Sequence, residues 1–290
     1  MYAGNPVCCL TNPFLGHEAE PLEKAEEPKK VMVIGGGVAG LSAAFIAKER
    51  GHEVTLYEAG DVLGGNMRLA AYPPGKGDIT NMIRSYIHRC QKDGVKIVMN
   101  CEVTPELIKE EKPDSVIIAT GSKTLILPIE GIDNPAIIHG SDLLDGKRAA
   151  GKKVLVVGGG MVGCETAAFL GEQEHDVTVI EFRDTVGADV IHEHRVYLMK
   201  DFEDYGIKEI TGAKVCKFYE DGVEYETADG VRHESRGYDS VILSMGFRNY
   251  NPLEEKIKDL VPETHVIGDA IRARRALDAT KEAYEVASRI

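Results

Sequence analysis

Residues suited to holding phosphate and ribose fall into two matching sets. In the first, the loop Gly35-Gly36-Gly37-Val38-Ala39-Gly40 follows the apolar run Val31 to Ile34, and Glu58 ends the run Val54-Thr55-Leu56-Tyr57. Gly35 permits a sharp turn, Gly37 lets backbone N–H groups approach a pyrophosphate, and Gly40 lets a helix pack closely on a sheet. A helix N-terminus then meets the phosphates, and a carboxylate at Glu58 accepts the two hydroxyls of an adenosine ribose. The second set repeats the first: Val154 to Val157 leads into Gly158-Gly159-Gly160-Met161-Val162-Gly163, and Val177 to Ile180 ends in Glu181. Gly35 to Gly158 and Glu58 to Glu181 are both 123 residues apart.

The elements that must position these residues are strand, glycine turn, amphipathic helix and strand, used twice. Each half later carries a buried-looking strand that ends in glycine, Val116 to Gly121 and Val241 to Gly246. Self-similarity at a fixed offset marks a duplicated nucleotide-binding unit. At 290 residues the chain accommodates two such domains, and 43% hydrophobic with 28% charged residues is a globular composition.

Composition excludes several functions. A formal net charge of -13 argues against a nucleic-acid partner, which requires clustered Lys and Arg. No apolar run reaches the roughly 18 to 20 residues of a membrane span, and the N-terminus has no basic-then-apolar leader, so a cytoplasmic location is expected. Cysteines 8, 9, 90, 101, 164 and 216 form no even framework and are expected as reduced thiols. No C-x-x-C or C-x-x-x-x-C pair lies near either loop, which removes a catalytic dithiol. The nine histidines show no zinc spacing, and His192 and His194 around Glu193 read as polar surface, so no metal is assigned.

Along the chain, residues 1–29 carry Pro6, Pro13, Pro21 and Pro28 and read as an irregular arm. The first helix follows Gly37 to about Arg50. Leu63-Gly64-Gly65-Asn66 and Pro73-Pro74-Gly75 predict an irregular backbone, open to two readings: a surface turn, or a loop lying along a flavin. A helix over 79–90, a strand over 95–99 and a short helix from Pro105 precede the strand ending at Gly121. Residues 121–153 read as a connection, and the second helix starts near Gly163 and runs to about Glu172. Residues 212–235 alternate and carry Asp221-Gly222 and Asp229-Gly230, predicting a small antiparallel flap. Thr264 to Ile290 returns to complete the first unit. The expected fold class is α/β, with two Rossmann-like three-layer domains, the second inserted into the first. Residues 30–147 and 247–290 form the first domain and 148–246 the second.

These residues resemble the two-dinucleotide-binding-domain flavoproteins, the FAD and NAD(P)H reductases, from Val31 to the end. The resemblance implies FAD in the first domain and NAD(P)H in the second, with the nicotinamide and flavin rings stacked between them. It places Gly35, Gly37, Gly40, Glu58, Gly65, Asn66, Val103, Thr120, Gly121 and Asp269 at the flavin nucleotide, with Asp269 on the ribityl chain and the following helix aimed at the isoalloxazine. Gly158, Gly160, Gly163, Glu181 and Gly246 would hold the nicotinamide nucleotide. Glu165 would position the nicotinamide, and the same residue also reads as a helix-start glutamate favoured by the macrodipole.

A narrower resemblance lies in the arm. Cys9-Leu10-Thr11-Asn12-Pro13 and His17-Glu18 are similar to the segment that follows the barrel half of the NADH:flavin oxidoreductases, the group of 2,4-dienoyl-CoA reductase, 2-enoate reductase and bile-acid oxidoreductases. It implies a chain corresponding to the C-terminal portion of such an enzyme, or a free-standing relative, with an FMN barrel and a [4Fe-4S] cluster as upstream partner. Cys9 matches the last cluster ligand, and one cysteine cannot build a four-thiolate cluster. Two functions stay open: a reductase module passing electrons from NADH through FAD, or a non-catalytic ADP-binding docking module. Intact Gly65 and Gly268-Asp269 favour the first.

Cofactor choice turns on Glu181. At an effective dielectric of about 20 and about 4 Å, like charges cost roughly 4 kcal/mol before salt weakens it, so a 2′-phosphate is disfavoured and NADH expected over NADPH. Arg183 could pair with that phosphate or lie in solvent. Arg272, Arg274 and Arg275 could approach flavin or a partner and read rather as a solvated helix start, Cys164 reads as a small buried contact, and Lys76 stays open between an approach to the flavin and one to the upstream cluster.

Overall fold

The computed structural model describes residues 7–17, 19 and 21–290. Pro6 and Glu18, which entered the reading of the arm, lie outside them. The chain forms two compact units: residues up to 71 with 78–123 and 248–290, and residues 72–77 with 124–247. The arm, as far as it is described, carries no helix or strand before Lys30.

The first unit opens with β1 (Lys30–Ile34), α1 (Val38–Glu49) and β2 (Glu53–Tyr57). Four consecutive residues of each strand are buried, the pattern of a parallel sheet covered on both faces. α1 is buried from Val38 to Ala47 rather than amphipathic as its sequence suggests, because other elements pack on the faces that solvent would otherwise reach. Gly65–Ala71 forms a 3-10 helix where the glycine pair suggested irregular backbone. α2 (Asp78–Lys92), β3 (Lys96–Val98) and α3 (Pro105–Glu111) follow. The Thr104 hydroxyl accepts the Leu107 N–H and Pro105 opens α3, a standard helix start. β4 (Ser115–Ile118) then leads to β5 (Ser122–Thr124).

The second unit contains β6 (Ile138–His139), α4 (Gly140–Leu144), β7 (Lys153–Val157), α5 (Met161–Glu172) and β8 (Asp176–Ile180). The stretch read as a connection, with linking strands expected near 120–153 and 241–250, holds β5 at its start, matched on the return by Phe247–Asn249, and also supplies β6 and α4 to this unit. After β8 come α6 (His192–Asp204) and β9 (Lys208–Ile210). β10 (Lys214–Tyr219), β11 (Gly222–Glu226) and β12 (Arg232–Ser235) form the antiparallel flap. β13 (Ser240–Leu243) is the unit's last strand, and β14 (Phe247–Asn249) lies on the crossing back to the first unit. α7 (Glu254–Ile257), β15 (Glu263–Val266) and α8 (Ala276–Ala287) return to the first unit.

Both large sheets have the same plan, with orders β15-β4-β1-β2-β3 and β6-β13-β7-β8-β9. β1 lies between β4 and β2, and β7 between β13 and β8, all parallel. That reversal of strand order opens a crevice beyond the strand carboxyl ends, just where each glycine loop sits. α8 supplies Ala279, Ala283 and Ala287 to the core that holds Leu41, Phe45 and Ile46 of α1, small residues that let the helices approach. β5 and β14, on the two chain crossings, pair with each other. Around them the Tyr250 N–H donates to the Gly121 carbonyl and the Leu125 N–H to the Gly246 carbonyl, both at 2.9 Å. The duplication extends to these crossings.

A side chain at position 40 tests how α1 sits on β1. The Cβ of an alanine there would lie 1.9 Å from the Gly35 carbonyl oxygen, so Gly40→Ala is expected to cost more than about 3 kcal/mol in denaturant unfolding. A loss under about 1 kcal/mol would contradict the packing.

Candidate functional site

In the first unit the glycine loop is fixed by contacts that exclude any side chain. A Cβ on Gly35 would meet the Ala119 carbonyl oxygen at 2.3 Å, and φ there is +111°. Gly37 differs: a Cβ would meet nothing within 4 Å. No side chain caps α1 at Gly37, so its first N–H groups face open space beside that glycine. Glu58 turns back onto the loop, accepting the Gly36 N–H on Oε2 at 2.7 Å and the Gly60 N–H on Oε1 at 2.8 Å. Each carboxylate oxygen keeps a lone pair, so the orientation is set while acceptor capacity for ribose hydroxyls remains. These residues fit a dinucleotide pyrophosphate and ribose.

Further along the unit, Asn66 Nδ2 donates to the Ser122 carbonyl at 3.3 Å, and the Ser122 hydroxyl donates to Asp269 Oδ2 at 2.9 Å. Asp269 Oδ1 accepts the Arg274 N–H at 3.0 Å. Gly65 packs on the loop, its would-be Cβ 3.1 Å from Gly37 Cα. The structure therefore gathers Gly35, Gly37, Gly40, Glu58 and Gly65 at one loop, and Asn66 and Asp269 around Ser122. Sequence reasoning missed Ser122, which only the fold brings to Asp269. Thr120 spends its hydroxyl on the Tyr250 carbonyl, and Gly121 adopts φ +74°. Val103 places its side chain in the apolar core with Ile108 and Val116. Asp269 lies within a 3-10 turn, Gly268–Ala270, and residues 271–275 separate that turn from α8, which begins at Ala276. Arg272, Arg274 and Arg275 are exposed, as a solvated helix start would be, and Arg274 also pairs with Glu282 of α8.

The second unit repeats the cradle. A Cβ on Gly158 would meet the Ser244 carbonyl oxygen at 2.4 Å, and one on Gly163 the Gly158 oxygen at 1.8 Å. Glu181 accepts the Gly159 N–H at 2.6 Å and the Arg183 N–H at 2.9 Å, as Glu58 does in the first unit. Gly158, Gly160, Met161, Glu181, Asp189 and Gly246 line a cleft of about 300 Å³. The residues fit a second dinucleotide.

Glu165, on the second turn of α5, is the most unusual group here. It is 6% exposed, and its carboxylate pairs with Lys76, a partner that the sequence did not indicate. His194 Nε2 lies 3.9 Å from Glu165 Oε1, so the His192-Glu193-His194 run is more than polar surface: α6 turns one of its histidines toward this carboxylate. A carboxylate this buried is costly without a counter-charge, and Lys76 supplies it. Cys164, next to it, is a buried thiol that burial pushes up to about 12, and Cys90 in the first unit behaves alike. Neither is poised as a nucleophile. Among the described residues no group of three or more His, Cys, Asp or Glu is placed to hold a metal ion.

The sequence matches the family model for pyridine nucleotide-disulphide oxidoreductases over residues 29–264. The chain belongs to that family. It is 35% identical to a cinnamate reductase of Clostridium sporogenes over 98% of this chain and 43% of that protein. It is 34% identical to an NADH oxidase of Thermoanaerobacter brockii over 97% of this chain and 44% of that one. A solved 2-naphthoyl-CoA reductase complex superposes with TM-score 0.91 at 33% identity, covering 98% of this chain and 43% of the other. A thioredoxin reductase of T. acidophilum, at 20% identity and TM-score 0.68 over 90% of this chain and 97% of that one, shares the fold. The enoate-reductase-type resemblance read from the motifs thus holds. The chain spans under half the length of these first relatives. The family implies FAD and NAD(P)H as cofactors. Among the described residues, no helix is long and apolar enough to cross a membrane.

Two measurements test the site. Gly37→Ala adds a methyl in open space and is expected to leave unfolding stability within about 0.5 kcal/mol while weakening FAD affinity at least about tenfold, read by flavin retention on titration; unchanged affinity would remove Gly37 from the site. Lys76→Met leaves Glu165 buried without a counter-charge and should cost about 3 kcal/mol. Adding Glu165→Met should recover most of it. Additive losses in that double-mutant cycle would show the pair uncoupled.

Proposed function

We propose that the first unit holds FAD, the second holds NADH, and the chain is the nicotinamide-oxidising module of an enoate-reductase-type flavoenzyme. Bound FAD supplies hydride acceptance and electron transfer when present. The observation that carries the reading is the repeated cradle: two glycine turns with the same close contacts, each facing a carboxylate held by two backbone N–H groups. Gly35, Gly37, Gly40 and Glu58 bind the flavin nucleotide, with Gly65, Asn66, Val103, Thr120 and Gly121 beside it and Asp269 oriented by Ser122 and the Arg274 N–H. Gly158, Gly160, Gly163, Glu181 and Gly246 bind the nicotinamide nucleotide.

Glu165 is the residue we assign to orienting the nicotinamide, with Lys76 fixing the carboxylate's position. Glu181 selects NADH, because its fixed carboxylate repels a 2′-phosphate. The proposed domains keep an arm over 1–29 and an NAD domain inserted into the FAD domain, with the first crossing near residue 123 in place of 147. By family resemblance the acceptor is an iron-sulfur cluster and FMN of an upstream barrel domain, to which Cys9 would contribute a ligand in a longer chain, and the organic substrate is of the enoate or dienoyl-CoA type. A cytoplasmic setting suits the buried thiols Cys90 and Cys164.

Purified protein reconstituted with FAD is expected to acquire the yellow colour of oxidised flavin and to bleach anaerobically with NADH. Efficiency with NADPH should be at least about tenfold lower. Protein that stays colourless after FAD addition supports the ADP-only docking module instead, and an equal or better NADPH efficiency rules out the Glu181 assignment.

A further inference from the structure

The loop after the second strand is duplicated as well. Leu63-Gly64-Gly65-Asn66 and Val186-Gly187-Ala188-Asp189 stand at the same 123-residue offset as the glycine turns. The Gly64 N–H donates to the Gly36 carbonyl at 2.8 Å, and the Gly187 N–H to the Gly159 carbonyl at 2.7 Å. Both loops therefore lie against their glycine turn by the same bond. Their last residues differ in charge and in direction. Asn66 bonds to Ser122, and the space at Gly37 stays open. Asp189 instead reaches the start of α5: its Oδ1 accepts the Met161 N–H at 2.9 Å, and its Oδ2 lies 3.3 Å from where a Cβ of Gly160 would be. Gly160 is the counterpart of Gly37, the glycine over which a pyrophosphate passes.

We propose that Asp189 is a competitor built into the second cleft, holding the α5 N-terminus with a carboxylate that an incoming pyrophosphate must displace. The inference rests on the second unit taking a nicotinamide dinucleotide. Asp189 is exposed, so it turns out to solvent without disturbing the core. The rest of its loop stays anchored, since the Arg195 guanidinium donates to the Val186 carbonyl at 3.1 Å and to the Thr185 hydroxyl at 2.9 Å. Glu181 adds a second negative charge to the same cleft, and the Arg183 N–H already serves Glu181. The consequence is a difference in retention. The first cleft, without such an acid, keeps its nucleotide; the second binds loosely and exchanges, as a cosubstrate that leaves every turnover requires.

Asp189→Asn separates charge from shape, because asparagine and aspartate cap a helix about equally well. It also restores the residue type of the first unit. With FAD-loaded protein, calorimetric titration with ADP-ribose is expected to tighten about tenfold in Asp189→Asn, with adenosine, which has no phosphate, unchanged. Asp189→Ser, another uncharged cap, should move ADP-ribose in the same direction. Unchanged ADP-ribose affinity in both variants, or an equal gain for adenosine, overturns the inference while leaving the nucleotide site standing. No ADP-ribose binding by either wild type or variant overturns the reading of the second unit, and this inference with it.

Discussion

The contact on which the structure depends is the one between a helix and the turn that feeds it. At Gly40 and Gly163 no side chain fits, because the carbonyl oxygens of Gly35 and Gly158 occupy the place where a Cβ would stand. Only at that distance does the helix N-terminus come over the strand end, with its first N–H groups directed into the crevice. The acids that close each cradle depend on the same geometry. Glu58 and Glu181 reach the turn at Gly36 and Gly159 because each adjoining strand pairs in parallel register with the strand before the loop. Sheet order, glycine and carboxylate form one device, present twice.

What was legible in the sequence was what is encoded locally. A glycine turn between an apolar run and a helix fixes its own neighbours, so β1, α1, β7 and α5 fell where expected, and the alternation with Asp-Gly turns gave the flap. α6 was not legible. Only Leu198 and Phe202 are buried in it, while Val196 and Tyr197 are exposed, so its apolar residues trace no clean stripe. The 3-10 helix at Gly65–Ala71 was hidden by its glycine, whose positive φ serves the close approach to Gly37. The short strand β6 gave too few residues for any period. At the site, Ser122 beside Asp269 and Lys76 beside Glu165 are contacts between residues far apart in the chain, which spacing cannot predict.

The two copies of the device have diverged at matching positions. Position 42 in α1 is a buried serine, and its counterpart in α5 is Glu165, a buried acid with a lysine partner. Position 66 is an asparagine tied to Ser122, and its counterpart Asp189 accepts the Met161 N–H at the start of α5. The scaffold is common to both units, and the added charges are confined to the second. The proposed assignment, a retained cofactor in the first unit and an exchanging cosubstrate in the second, calls for this kind of difference.

The central claim is that one chain carries two independent dinucleotide sites, and binding stoichiometry tests it most directly. Calorimetric titration of apoprotein with FAD, followed by ADP-ribose, should give one equivalent of each, with the second isotherm unaffected by saturating FAD. A total of one nucleotide per chain, or displacement of one ligand by the other, would contradict it.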